Sequence, residues 1–381
     1  MASSKRQMVS IVYRFLPQYR VDFFEGLRSR LGREDIDLRL FYGKNDRNLK
    51  MDEEDLSWGT VVSQTEFNIF GRQLLFQYLP DSIYESNLII LMQENKILSN
   101  YKIAFLARKR CVRTALWGHG TNFQDKANSI ANWWKRRYSG KVEWWFAYTA
   151  TVAQLLLGMP FPKDRITVVN NAIDTRRLMS DLASITEKQK RKLREELHLG
   201  EGPVGIYCGS MYPEKRLPFL FEACEIVRQT IPQFELILIG AGPDSRLAED
   251  FAATRDWVHY VGPRFSLERV PYFSLSHVFL MPGLVGLAVL DSFALGTPII
   301  TTKYPFHSPE IEYLENGRNG LISEDNIPAY AQSVIDAIRD PLLLPFLRDN
   351  ATKDAEKYTV EAMVSNFADG ILKVIDAPLV R

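Results

Sequence analysis

Short runs of consecutive apolar residues alternate along this chain with amphipathic stretches and clusters of turn residues. In the first half, Met8–Tyr13, Ile36–Tyr42, Ser86–Met92, the Thr114–Gly120 passage, Trp144–Thr149 and the start of Ile166–Asp174 predict strands. In the second half, Val204–Gly209, Phe234–Gly240, the passage ending at His259–Arg264, His277–Leu280 and Thr297–Thr302 do the same. Between them, helical periodicity covers about Val21–Leu31, a basic stretch ending at Arg108–Arg110, and Thr186–Leu197. It returns over Leu217–Gln229, Leu287–Leu295 and Val360–Ile375. Strand alternating with helix implies an α/β protein built on parallel sheets. In such sheets, ligand-binding loops lie beyond the carboxyl ends of the strands.

Composition narrows the picture only a little. A chain of 381 residues suits two domains with real cores, expected at 1–180 and 181–359, with 360–381 as a closing helix. Hydrophobic residues make up 46% and charged residues 24%, an ordinary globular mix, and the net charge of +1 gives no global electrostatic case for nucleic acid. Cys111, Cys208 and Cys224 are odd in number and show no metal or redox spacing, which points to a reducing cytoplasm. No apolar run approaches the ~18 residues of a spanning helix, and the first residues show no signal-peptide core. The expectation is a cytoplasmic protein.

The densest chemistry lies in Met281–Pro298. After the His277–Leu280 strand, Pro282-Gly283 breaks the chain and a helix starts near Leu287, with Gly296 and Pro298 marking its end. A glycine-bearing loop entering a helix offers backbone N–H groups over Gly283–Leu287 to a phosphate. Asp291, one turn on, presents a carboxylate suited to a sugar diol. Earlier, the strand Val204–Gly209 runs into Ser210–Arg216, where Lys215 is a candidate for holding a phosphate group; an exposed loop lysine is the bland alternative. Gly240 follows another strand in a Gly-x-Gly turn, a weak signal alone.

Those residues resemble the donor-site signature of glycosyltransferase family 4. The shared order is Pro282, then Gly286-Leu287, an acidic residue at Asp291, and Ala294-x-Gly296-x-Pro298. The resemblance is firm over about Val204–Ile322 and diffuse before it. It implies the GT-B fold: two facing Rossmann-like domains, the active site between them, and a C-terminal helix crossing back to the first. It implies that Lys215 falls on the family's diphosphate-binding lysine and His119, between Gly118 and Gly120, on a histidine that touches the transferred sugar or its phosphate. Gly240, Gly262, Arg264, Gly286, Leu287 and Asp291 would complete the donor site, and the Pro17–Arg20 loop, with Tyr19 and Arg20, would face acceptor and donor phosphates. For Arg20 the alternative is a solvated arginine at a helix start.

Two positions depart from the family. Gly283 stands where it has the first of two glutamates, and Ser210 stands where it has an arginine; Arg216 is the nearest cation to replace that charge. The implied reaction is transfer of a sugar from a nucleotide-diphosphate sugar, UDP-linked in preference to GDP-linked, to a glycan or lipid-linked acceptor in surface polysaccharide synthesis. Retention of configuration follows the family, and no carboxylate pair stands at a spacing suited to double displacement. No cofactor or metal is expected; Asp35-Ile-Asp37 superficially resembles a metal-binding Asp-x-Asp but opens a strand. The rival expectations are a sugar-nucleotide epimerase on the same fold and a binding or scaffold subunit that has lost catalysis.

One stretch fits neither core nor donor site. Trp133, Trp134, Lys135, Arg136 and Arg137 combine aromatic rings with positive charge, a composition suited to an anionic membrane surface, so peripheral attachment at the inner face of the plasma membrane is expected. Basic-aromatic stretches also bind single strands of nucleic acid, and the bland alternative is a solvated face.

Overall fold

The computed structural model describes residues 6–44, 55–69, 71–120, 142–159 and 161–378. Backbone contacts divide the chain into two compact units, one of residues up to Asn171 together with those from Val360, the other Ala172–Thr359. The first break falls ahead of the expected 180/181. The helix Thr175–Ser184 goes with the second unit because the Thr175 hydroxyl, fully buried, donates to the Ala355 carbonyl at 3.1 Å.

Among the described residues, unit 1 is built on a seven-stranded parallel sheet in the order β3-β2-β1-β6-β7-β8-β9. Its strands are β1 (Gln7–Phe15), β2 (Ile36–Gly43), β3 (Thr60–Val61), β6 (Leu88–Met92), β7 (Arg113–Gly118), β8 (Trp144–Ala147) and β9 (Ile166–Val168). A separate antiparallel hairpin, β4 (Gln64–Ile69) and β5 (Arg72–Gln77), was not expected from the sequence. Leu88–Met92 is buried along its whole length, which is why it reads as one apolar run. Trp117 anchors the core, with the Phe23 and Phe367 rings centred 5.4 and 5.0 Å away. Phe367 belongs to the closing helix Val360–Asp376, which therefore packs on this unit. Its Gly370 lets it lie against the sheet, since a Cβ there would come within 2.6 Å of the Phe146 ring and 2.7 Å of the Thr167 hydroxyl.

Unit 2 holds a six-stranded parallel sheet in the order β12-β11-β10-β13-β14-β15. These are β10 (Val204–Cys208), β11 (Glu235–Ile239), β12 (Val258–Gly262), β13 (Val278–Leu280), β14 (Ile299–Thr302) and β15 (Gly320–Ser323). Counted within the unit, this is the 3-2-1-4-5-6 order of the doubly wound fold, and it reverses between β10 and β13. Helix Leu217–Thr230 follows β10, and the short helix Ala288–Ala294 joins β13 to β14. No described helix is long and apolar enough to cross a membrane.

Candidate nucleotide-sugar site

The loops that follow β10 and β13 leave the sheet at its switch point, the place where such sheets bind ligands. They also touch each other. The Leu284 amide donates to the Glu214 carbonyl at 2.9 Å, and Gly283 lies so close to the other loop that a Cβ would stand 2.3 Å from the Glu214 oxygen and 2.6 Å from the Lys215 carbonyl carbon. Glycine at 283 is thus a packing requirement here, and no glutamate fits without moving backbone. His307 holds the second loop from the other side. Its Nδ1 accepts from the Val285 amide at 3.0 Å and its Nε2 donates to the Thr302 carbonyl at 2.9 Å. That pair of roles needs the neutral ring, and burial keeps its pKa below the usual histidine range.

Lys215 ends the 3-10 turn Pro213–Lys215 and is buried at 7% exposure, not an exposed loop lysine. Its ammonium donates to the Leu284 carbonyl at 2.5 Å and lies 5.6 Å from the centre of the Tyr212 ring. Burial lowers its pKa to about 8, with the neighbouring Cys208 opposing the shift. Cys208 itself is pushed up to about 12 by burial, and the charges acting on it are those of Arg269, Asp291 and Lys215. All three side chains belong to unit 2 and act electrostatically on the last residue of β10.

Asp291 is 17% exposed and accepts a charge-assisted hydrogen bond from Arg269 Nη2 at 2.6 Å. Arg269, which also donates to the Ser266 carbonyl at 2.9 Å, closes the turn after β12. The sequence reading missed it, because nothing in Ser266–Arg269 marks the arginine until the fold brings it against Asp291.

Several expected donor-side residues have different partners from those foreseen. Arg216 forms an ion pair with Asp325 and lies over the Phe219 and Tyr304 rings, 4.2 and 5.2 Å from their centres. Its charge is paired with Asp325 here, a partner the sequence did not suggest. Ser210 is exposed, and its carbonyl accepts from the Tyr207 hydroxyl at 2.8 Å. Gly240 donates its amide to the Gly262 carbonyl at 3.1 Å, so those two positions brace neighbouring strand ends. Arg264 donates to the Tyr272 hydroxyl and to the Pro263 carbonyl. The helix expected from Leu287 begins at Ala288 and is only seven residues long, with Leu287 as its N-cap. Of the amides over Gly283–Leu287, those of Leu284 and Val285 are taken by Glu214 and His307. The anion cradle is accordingly smaller than the sequence suggested.

In unit 1, the expected acceptor-side loop is folded inward. Pro17 is buried and its carbonyl accepts from the Arg20 amide, while Tyr19 is 43% exposed. Arg20 is neither solvated nor open to a ligand at 1% exposure. It donates to Asn171 Oδ1 and to the Tyr13 hydroxyl, and its guanidinium lies 5.3 Å from the centre of the Trp117 ring. Aromatic faces and neutral acceptors make the arginine part of the core. His119 follows β7, half-buried, with its ring 4.4 Å from that of Tyr148. The Gly120 carbonyl beside it is held by Gln93 Nε2 at 2.9 Å. Trp133, Trp134, Lys135, Arg136 and Arg137 lie outside the described residues.

Comparison with known proteins agrees with this fold. Residues 202–340 match the family model of Glycosyl transferases group 1. The GDP-mannose-dependent alpha-(1-6)-phosphatidylinositol monomannoside mannosyltransferase of Mycolicibacterium smegmatis is 25% identical over 168 residues, 40% of this chain and 43% of that protein. The alpha-monoglucosyldiacylglycerol synthase of Acholeplasma laidlawii is 24% identical over 201 residues, 51% of this chain and 50% of that protein. The chain thus spans half or less of the length of these curated relatives. Among solved structures, Anabaena HepE in complex with UDP and glucose superposes with a TM-score of 0.67 at 13% identity, covering 96% of this chain and 99% of that one. A glycosyltransferase from Rickettsia africae superposes at 0.69, with 14% identity over 98% and 100%. The fold is therefore GT-B, with two Rossmann-like parallel-sheet domains. Within that fold, unit 2 matches the group 1 glycosyl transferase model over residues 202–340, and the chain is similar to glycosyltransferases of the family 4 type.

Proposed function

We propose that this protein transfers a sugar from a nucleotide-diphosphate sugar to a glycan or lipid-linked acceptor in surface polysaccharide or glycolipid synthesis. The donor is read as UDP-linked in preference to GDP-linked, and the anomeric configuration as retained. The observation that carries this reading is the buried Lys215 in the loop after β10, at the switch point of the unit that matches the family and that also holds the Arg269–Asp291 pair. Departure of a nucleoside diphosphate develops negative charge, and cations held in a site of low polarity stabilise it most. Lys215 is assigned that role, with Arg269 as the second cation in place of the one absent at Ser210. Asp291 is assigned to the donor's hydroxyl groups, oriented by Arg269. His119 is assigned to hydrogen bonding with the transferred sugar. Side chains supply the charge, so no metal is invoked, and the reaction is placed at the cytoplasmic face of the membrane.

The reading is supported by what the relatives carry in their names: UDP and glucose for HepE, GDP-mannose and a phosphatidylinositol mannoside for the mycobacterial enzyme, a diacylglycerol for the Acholeplasma enzyme. The test is incubation with radiolabelled UDP-glucose, UDP-galactose, UDP-N-acetylglucosamine and GDP-mannose, with lipid and glycan acceptors, in buffer with and without EDTA. Label should enter an acceptor from one donor, be unaffected by EDTA, and give a product of retained configuration by NMR. One observation favours a second reading, a donor-binding scaffold without turnover: the backbone packing at Gly283 excludes the carboxylate that the family places there. Tight donor binding with no transfer to any acceptor would select it.

A further inference from the structure

The inner face of the unit 1 hairpin mixes apolar and polar side chains. Leu75 and Gln77 face the domain at 1% exposure each, Gln77 Nε2 donating to the Tyr13 carbonyl at 3.0 Å, and Glu66 lies 3.8 Å from Arg14. Residues paired directly across an antiparallel ladder share a face, and each strand alternates. Thr65 pairs with Phe76, Phe67 with Leu74, and Glu66 with Leu75. Phe67, Ile69, Leu74 and Phe76 therefore form the opposite, outward face, where Phe67 is 38% and Ile69 47% exposed. Tyr78, 52% exposed, extends it, its ring 5.1 Å from that of Phe76.

Helix Leu98–Lys109 continues this surface. Lys102, Phe105 and Lys109 are spaced three and four apart and so lie on one helical face. Lys102 Nζ stands 5.8 Å from the centre of the Phe76 ring, Lys109 Nζ stands 4.5 Å from that of Phe105, and Phe105 is 60% exposed. From 95 to 113 the chain carries Lys96, Lys102, Arg108, Lys109, Arg110 and Arg113 and no acidic residue. Acidic groups come only from other segments: Glu94 beside Lys96 at 3.1 Å, and Asp81 beside Arg110 at 3.9 Å.

We infer that the outward hairpin face and the Lys102–Phe105–Lys109 face together form a docking surface for an anionic lipid membrane. Exposed aromatic and aliphatic side chains suit the boundary between head groups and acyl chains, while lysines at their edges pair with lipid phosphates. The exposed cations Lys102, Arg108 and Lys109 select this occupant over a second copy of the chain, whose identical basic surface would repel it. The inference does not depend on the transferase reading.

The test is flotation of the full chain with phosphatidylcholine vesicles, with and without phosphatidylglycerol. Wild type should float with the anionic vesicles only, and less at high salt. With each basic residue contributing about 1 kcal/mol near such a surface, Lys102→Gln/Lys109→Gln should weaken binding roughly 30-fold. Phe67→Ser/Ile69→Ser should weaken it as well, by losing apolar contact without changing charge. Unchanged circular dichroism and an unchanged thermal response to nucleotide would show that these exposed substitutions leave the fold intact. Equal binding to neutral vesicles, no binding to either, or wild-type affinity in both double variants would overturn the inference. So would a concentration-dependent dimer abolished by the same substitutions. Loss of vesicle binding with donor binding retained would leave the proposed reaction standing.

Discussion

Replacing Lys215 with methionine should make the protein more stable and worse at binding its donor. Burial takes this lysine from an ordinary 10.5 to about 8. Each unit of that separation corresponds to about 1.4 kcal/mol, so keeping the ammonium charged at pH 7 costs the fold about 3 kcal/mol. Losing its hydrogen bond to the Leu284 carbonyl offsets about 1 kcal/mol of the gain. Lys215→Met should therefore raise stability by about 2 kcal/mol at pH 7, or roughly 4–8 °C in melting temperature for a domain of this size. The sign follows from the protons bound. Below pH 8 the lysine is charged folded and unfolded, and the cost is complete. Between about 8 and 10.5 the unfolded chain holds more protons, so wild-type stability rises with pH and the advantage of methionine shrinks; above 10.5 it is gone. Urea unfolding of both proteins at pH 7, 9 and 10.5 reads this directly. A methionine variant less stable than wild type at pH 7, or a difference that does not change with pH, would refute the reasoning.

Restoring the family residue with Gly283→Glu should destabilise unit 2 by more than about 2 kcal/mol, since its Cβ meets backbone at 2.3 Å; a melting curve checks this, and improved transfer would contradict it. Arg269→Ala should leave Asp291 without its cation and weaken nucleotide binding, with Arg269→Lys recovering only part because one charge cannot reproduce the guanidinium geometry. Calorimetric titration with a nucleoside diphosphate would separate the two variants. Arg20→Met should cost unit 1 about 2 kcal/mol while leaving nucleotide affinity unchanged, because it leaves the Tyr13 hydroxyl and the Asn171 amide oxygen of that unit without their donor. A pure loss of acceptor KM at unchanged stability would instead return Arg20 to the acceptor side.

Much of the sheet architecture was legible because these strands are buried on both faces and read as apolar runs. Val204–Cys208 and Leu88–Met92 are buried at every position. The hairpin 64–77 was missed because Phe67, Ile69 and Phe76 face outward while Glu66 and Gln77 share the inner face with Leu75, so no alternation with apolar residues inward marks it. The donor loops were legible through spacing, yet what their side chains do was not. Arg20 looked like a loop cation because its aromatic partners lie at 13, 23 and 117 in the chain. Arg216 looked available because Asp325, more than a hundred residues away, cannot be read as its neighbour. Arg269 had no local signal for the same reason. Contacts distant in the chain decided each case: the Trp117 ring and Asn171 for Arg20, and charge pairs for Arg216 and Arg269.

The central claim is that unit 2 holds a nucleotide-diphosphate sugar through Lys215, and ligand-induced stabilisation tests it most directly. Wild type and Lys215→Ala would be melted with the diphosphates of uridine, guanosine, thymidine and adenosine and with their sugars. Ligand at 100 times its dissociation constant stabilises the folded form by about 2.7 kcal/mol, enough to be seen as a clear shift. The account predicts a shift with one nucleotide, uridine before guanosine, that shrinks in the variant. No shift with any nucleotide, or one equally large without Lys215, would contradict it.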